Sequence, residues 1–232
     1  MRSHINTHAP LAHEVLAAVL QVRSDTLKVL LWRRALDPHL GRWSLPGGRL
    51  RPDEDVETSI RRQLAEKVDV RQLKHVEQLA VFSAPDRVPG PRVVATAFVG
   101  LIPAGVDPEV PEDTEWHDVA ALPRTAFDHQ AIVLRARDRL RSKLSYTNVG
   151  FALAPGEFTI SALRDIYSAA LGYRVSATNL QRVLSRRGLL TATGHTSPPG
   201  RTGGRPAALF SFAADAVLVT DPFAVFRPPA RR

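Results

Sequence analysis

Cysteine is absent from the 232 residues of this chain. That absence excludes a disulfide framework, thiolate metal sites and a cysteine nucleophile together, and leaves a protein suited to a reducing compartment. No apolar run approaches the roughly 20 residues that span a bilayer. Residues 1–10 lack the basic-then-apolar layout of a secretory leader, so a cytoplasmic protein with no membrane partner is expected. Lysine is scarce, four against 27 arginines, and carboxylates thin out toward the end. Residues 1–143 carry 21 basic and 19 acidic side chains, residues 144–232 carry 10 and 4, and all ten are Arg. The planar Arg fork pairs bidentately with phosphates and guanine edges, which fits a polyanion partner. A small basic domain that is merely soluble fits the same charge count. Apolar residues make up 44% and charged residues 23%, so bulk disorder is excluded and a core can form. The length accommodates two modest domains, read here as 1–143 and 144–232.

Residues 15–22 and 28–32 read as apolar strands around the polar turn Arg23-Ser24-Asp25, a hairpin. The cluster Trp43-Ser44-Leu45-Pro46-Gly47-Gly48 is incompatible with helix. Residues 53–68 contain neither Gly nor Pro, and Val56, Ile60 and Leu64 recur at helical spacing, which predicts an amphipathic helix. Strands at 75–83 and 92–102 follow. The acidic, proline-marked stretch 103–122 is expected to be irregular. Asp128 is expected to cap a helix running to Leu144, whose surface carries Arg135, Arg137, Arg139, Arg141 and Lys143 and which can act as a rigid connector. Beyond it, short helices replace strands. Thr159 is the expected N-cap of a helix ending at Gly172, and Ser176 caps a second ending at Gly188. Strands at 189–193 and 207–212 then flank the Gly-, Pro- and Arg-rich loop 194–206. Helix, turn, helix, hairpin is the order of a winged helix.

The most specific signal is Gly48-Arg49-Leu50-Arg51-Pro52-Asp53-Glu54 followed by residues 62–70, RQLAEKVDV. Gly48, Glu54, Arg62, Leu64, Glu66 and Val70 fall in the register of the Nudix box: Gly, five residues, Glu, seven residues, Arg-Glu-apolar-x-Glu-Glu-x-Gly-apolar. Trp43 to Gly48 resembles its usual lead-in, and Trp116 with Leu122-Pro123 resembles its downstream signature. Positions 63, 66 and 67 share one helix face. In the Nudix pattern that face carries carboxylates that bind Mg²⁺ or Mn²⁺ and activate water. Here it reads Gln63, Glu66, Lys67, and the box Gly is Asp69, whose carboxylate has Lys67 or a metal as candidate partners. Hydrolysis is therefore not expected, and neither a divalent metal nor a cofactor is. A nucleotide pocket that binds without cutting is expected instead, with Arg33, Arg34, Gly47, Gly48, Arg49, Arg62 and Glu66 as candidate effector contacts. For Arg62 an ion pair with Glu54 or Glu66 is the preferred competing role, and Trp43 and Trp116 read as core.

Along residues 176–188, Leu180, Val183 and Leu184 form the apolar face. Thr178, Asn179, Gln181, Arg182 and Arg186 are polar, with Asn179, Arg182 and Arg186 on one stripe suited to adenine and guanine edges in a major groove. Arg201 and Arg205 lie in the loop that would be the wing. A solvated amphipathic helix and a soluble hairpin tip have the same composition.

Together the two parts resemble the NrtR family, Nudix-related transcriptional regulators of NAD metabolism. Residues 88–98, Phe127-Asp128-His129, Lys143-Leu144-Ser145-Tyr146-Thr147, Glu157-Phe158-Thr159 and Gly204-Arg205-Pro206-Ala207 carry the likeness beyond the box. The resemblance implies an α/β (α+β) two-domain chain, a Nudix-like αβα sandwich followed by a winged helix-turn-helix domain. It also implies a homodimeric repressor on palindromic double-stranded DNA operators near genes for NAD synthesis or salvage. ADP-ribose or a related nucleotide would be the effector that releases DNA. An ADP-ribose pyrophosphatase with an appended basic domain, holding metal through Glu54, Glu66 and Asp69, is the alternative. An RNA-associated module is a third.

Overall fold

The computed structural model describes residues 11–198 and 206–221. It opens with β1 (Ala12–Arg23) and β2 (Thr26–Arg33). Ser24 and Asp25 join them with φ of 48° and 59°, the positive-φ pair whose twist matches that of the flanking strands. Around Pro46 lie two short strands, β3 (Trp43–Ser44) and β4 (Gly47–Arg49). Then come α1 (Val56–Val68), β5 (His75–Phe82), β6 (Val93–Leu101), β7 (Thr114–Asp118) and α2 (His129–Tyr146). The strand order is β3-β2-β1-β6-β5, with β4 pairing β1 and β7 pairing β2. Residues 15–22 of β1 are all buried. Alternation is lost there because a central strand covered on both faces has no solvent side.

Two expectations about this part are corrected. Residues 103–122 are not wholly irregular, since Thr114–Asp118 forms β7. Its five residues sit among prolines and carboxylates, and pairing with β2 supplies what local sequence does not. Nor does Asp128 cap α2 with its side chain. Arg87 takes that carboxylate through Nε and Nη2, at 3.0 and 2.8 Å, and the Gln130 amide donates to Thr125 Oγ1 instead, at 3.1 Å.

The described residues divide into two compact units, one of residues up to 19, 29–100 and 108–136, the other of 20–28, 101–107 and 137 onward. In the first, Val15, Val29, Leu30, Leu31, Ile60, Leu64, Ile132 and Val133 are almost fully buried. In the second, α3 (Ile160–Leu171) starts at Thr159, whose hydroxyl accepts from the Ala162 amide, and ends at Gly172 with φ of 79°. Helix α4 (Ala177–Arg186) starts at Ser176, whose hydroxyl accepts from the Asn179 amide. Both caps satisfy amides that a helix start leaves unpaired. Leu163, Ile166, Tyr167, Leu180 and Leu184 fill the space between these helices and their neighbours.

Strands β8 (Leu190–Thr196) and β9 (Ala208–Phe212) pair antiparallel, with a bulge between Ala192 and Thr196. Phe158 exchanges two backbone hydrogen bonds with Phe210, each 2.9 Å, adding a third, one-residue strand, and its ring meets that of Phe212. This is a winged helix. After the wing the chain returns to Asn148, which is fully buried. The Asn148 amide donates to Ala216 O and its carbonyl accepts from the Leu218 amide, at 2.9 and 2.7 Å. Among the described residues no helix is long and apolar enough to cross a membrane.

Candidate functional site

A cleft of about 350 Å³ opens in the first unit, walled by the start of β1, the end of β2, the β3–β4 corner, α1 and the turn into α2. The corner is built by glycine. A Cβ on Gly47, at φ of 155°, would lie 2.1 Å from the carbonyl oxygen of Val15, and one on Gly48 would lie 2.7 Å from the Gln63 amide. At Gly47 only glycine permits that approach of β4 to β1, whereas a side chain at Gly48 would have to displace the Gln63 amide. Ser44, 2% exposed, lines the same cleft, and its Oγ has no hydrogen-bond partner among the described residues. An orphaned buried hydroxyl of this kind marks a place where a ligand or water group is wanted.

The box face of α1 reaches the cleft through Lys67. Arg62 gathers its carboxylates, donating to Glu54 through Nε and Nη2 at 2.8 and 2.6 Å and to Glu66 through Nη1 at 3.0 Å. The Arg62 hydrogen bonds hold the Glu54 carboxyl down to about 2. Gln63 is buried between Gly47 and Arg62. In the amide orientation that satisfies both ends, it donates to Gly47 O at 3.3 Å and accepts from Arg62 Nη2 at 3.2 Å. Lys67 Nζ donates to Gly47 O at 2.5 Å and lies 5.0 Å from the centre of the Trp32 ring. Burial, then the Arg34 and Arg62 charges, pull its pKa below the ordinary lysine value.

This donor set does not fit a divalent cation. A hard cation needs several anionic oxygens. Of the side chains on the box face of α1 only Lys67, an ammonium, lines the cleft; Gln63 is a neutral amide already engaged, and Glu54 and Glu66 are tied to Arg62. Asp69 does not compensate. It ends α1 in the left-handed conformation, φ 49°, the place where the box pattern has its Gly, and its exposed carboxylate pairs with Arg71 at 3.3 Å rather than with Lys67.

Of the candidate effector residues, Arg34, Gly47, Gly48 and Arg49 line the cleft, whereas Arg33, Arg62 and Glu66 do not. Arg33 is exposed and stacks on Trp43 at 4.3 Å. Its alternation along β2 turns it away from the side that Arg34 faces. The ion-pair role for Arg62 is the one its geometry displays. Trp43 is buried, as expected for core. Sequence reasoning missed Trp32, Lys67, Phe127 and His129 as lining residues. Lys67 was legible from its place in the box, but the other three come from segments whose convergence only the fold supplies. His129 is buried, and its Nδ1 accepts from the Leu45 amide at 3.0 Å. Burial first, then the Arg87 charge, pushes its pKa down to about 3, so the ring is neutral and its proton sits on Nε2.

In the second unit Thr178, Asn179, Gln181, Arg182 and Arg186 are all exposed on α4, while Leu180 and Leu184 are buried. Arg182 Nη2 donates to Asn179 Oδ1 at 2.7 Å, so two groups on the expected reading stripe are pre-arranged. Arg201 and Arg205 lie outside the described residues.

Comparison with known proteins matches residues 12–137 to the NUDIX domain and residues 150–212 to the NrtR DNA-binding winged helix domain. The chain is similar to the ADPR responsive transcriptional repressor NtrR of Acinetobacter baylyi, 28% identical over 84% of this chain and 80% of that one. It is also similar to NrtR of Shewanella oneidensis complexed with a 27mer DNA, 32% identical with a TM-score of 0.73, covering 86% of this chain and 92% of that one. The NUDIX domain of that protein, complexed with ADP-ribose, matches 57% of this chain and 90% of its own length at 31% identity and a TM-score of 0.51. An ADP-ribose pyrophosphatase of Methanocaldococcus jannaschii is 34% identical over 50% of this chain and 68% of its own. Since both domain models match in this order and one alignment runs through both, the chain belongs to the NrtR family, in which a Nudix domain precedes a DNA-binding winged helix.

Proposed function

We propose that this protein is a DNA-binding transcriptional repressor of genes for NAD biosynthesis or salvage, and that it senses ADP-ribose or a related nucleotide through a Nudix-like domain without hydrolysing it. Residues 1–143 form the effector domain with its connector helix, and residues 144–232 the DNA-binding domain and tail. The observation that carries the reading is the pairing of two surfaces in one chain. One is a cleft lined by the cations Arg34, Arg49 and Lys67 beside Trp32 and Phe127, which suits a nucleotide diphosphate. The other is a helix-turn-helix whose second helix exposes Thr178, Asn179, Gln181, Arg182 and Arg186. Arg201 and Arg205 of the wing complete the DNA contacts. The relatives named as an ADPR responsive repressor and as a DNA-complexed NrtR support the assignment.

The protein works in the cytoplasm as a homodimer, whose two α4 helices meet successive major grooves of a palindromic operator about one turn apart. Effector binding favours a second state in which that spacing is lost, and the coupling is the difference in effector affinity between the two states. No metal ion or cofactor takes part.

The test is fluorescence anisotropy of a labelled duplex from the region upstream of the protein's own gene, at fixed salt because phosphate contacts dominate affinity, with ADP-ribose titrated into the complex. Sequence-preferring binding reversed by ADP-ribose is expected. Binding that ADP-ribose leaves unchanged would remove the effector assignment and keep the repressor. Absence of specific binding would favour the second reading, an ADP-ribose pyrophosphatase with an appended basic domain. That reading draws on the likeness to the archaeal enzyme and requires Mg²⁺-dependent turnover lost in Glu66→Gln.

A further inference from the structure

On the α1 face, the position that carries a carboxylate in the box pattern carries an ammonium here, and that ammonium is anchored at the cleft. Lys67 Nζ gives one of its three N–H bonds to Gly47 O and lies near the Trp32 ring. Among the described residues no carboxylate pairs with it. The other buried cations of this unit are neutralised, Arg62 by Glu54 and Glu66, Arg87 by Glu14 and Asp128. Glu14, the carboxylate in the cleft wall, is therefore already taken. A half-buried cation without a counter-ion is costly unless an anion arrives. Burial, then the Arg34 and Arg62 charges, lower the Lys67 pKa, and the Glu14 and Glu66 charges nearby offset this only in part.

We propose that Lys67 neutralises the diphosphate of the bound nucleotide in place of a divalent cation, so that the effector binds without metal. The inference rests on the reading that this cleft takes a nucleotide diphosphate, and adds the group that neutralises it. Arg34 and Arg49 flank the same opening, but Arg34 already spends Nε and Nη2 on the carbonyls of Pro38 and Asp37. Lys67 retains N–H bonds to give. The orphaned Ser44 hydroxyl supplies a neutral donor in the same wall.

Isothermal titration calorimetry of the full-length protein with ADP-ribose decides the matter, in excess EDTA and again in Mg²⁺. Equal affinity of the wild type in both buffers is expected. Lys67→Met is expected to weaken binding about tenfold or more in either buffer, the usual cost of losing a hydrogen bond to a charged group, and Lys67→Arg to keep most of it. Lys67→Glu is expected to bind poorly in EDTA and to regain affinity with Mg²⁺. If Lys67→Met is unfolded by circular dichroism, the wild-type buffer comparison and Lys67→Arg carry the test. Wild-type binding that requires Mg²⁺, or folded Lys67→Met binding as wild type, overturns the inference and leaves the effector reading standing. A wild type that takes up no ADP-ribose in either buffer overturns both.

Discussion

Arg87 holds Asp128 in a two-pronged grip, Nε at 3.0 Å and Nη2 at 2.8 Å, while its Nη1 reaches Glu14 at 2.5 Å. Its side chain is 1% exposed. Burial works against the charge, yet the bonds to Asp128 and Glu14 outweigh it and keep the guanidinium firmly protonated. The grip ties the loop after β5 to the first turn of α2. Asp128 lies between Phe127, a non-Gly residue at φ 49°, and His129, and both of these line the cleft. A ligand there touches the same turn that Arg87 holds.

Replacing Arg87 by Met should therefore act on stability and on response. Removing one member of a buried ion-paired cluster costs about 3 kcal/mol, the lower end of the usual range, since the carboxylates left behind are about a quarter open to solvent. Urea unfolding measures that loss. In protein that remains folded, DNA affinity should be kept and its reversal by ADP-ribose weakened. Full reversal in the anisotropy titration would show that this turn transmits nothing.

Acid should destabilise the protein in two steps. His129 has a folded pKa of about 3, below the ordinary 6.5. The unfolded chain therefore takes up that proton first, and stability falls as pH drops from about 6.5 toward 3. Its slope is at most about 1.4 kcal/mol per pH unit for one proton. Protonation would also place a hydrogen on Nδ1, against the Leu45 amide that it now accepts from. Glu54, held to about 2 against an ordinary 4.5, contributes stability that is fully present above 4.5 and disappears as pH falls toward 2. Urea midpoints measured from pH 7 to 3 should begin to fall near 6.5 in the wild type. His129→Asn, whose side-chain oxygen can accept from the same amide, should flatten the upper part of that decline. An unchanged upper limb would contradict the assignment.

Much of this architecture is legible in the chain itself, because local signals and global fold agree. Thr159 and Ser176 cap the helices they were expected to cap, and Gly172 ends α3. What escapes is whatever depends on distant partners. Strand β7 exists through its pairing with β2, and Asp128 has the right residue type for a cap but meets a buried guanidinium sooner than a free amide. In the cleft, Gly47, Gly48, Arg34 and Arg49 follow from the box and its lead-in. Phe127 and His129, about 80 residues further on, reach the same wall only once the sheet and α2 are assembled. The pattern named Lys67 as a lost ligand without showing that it faces the cleft, because periodicity gives the helix face and not its neighbour.

The recognition helix permits a separation of base reading from phosphate binding. Arg182 already donates one N–H to Asn179 Oδ1, which orients its guanidinium; the proposed reading gives its remaining donors to a guanine edge and leaves the Asn179 amide to donate. Arg182→Ala should cost about 1–3 kcal/mol on the preferred duplex and relax preference at one base pair of each half-site. Arg182→Lys should not restore it, because a point charge cannot reproduce the fork. Asn179→Ala should give a smaller loss at the same position by freeing the Arg rotamer. Arg164, on α3 and paired with Asp165 at 2.6 Å, is the control whose replacement should change neither affinity nor preference. Anisotropy against the preferred duplex, its single-base variants and a random duplex distinguishes the outcomes. If Arg182→Ala weakens all duplexes alike and lowers the salt slope by about one, Arg182 contacts phosphate, and the reading of sequence passes to Gln181 and Arg186.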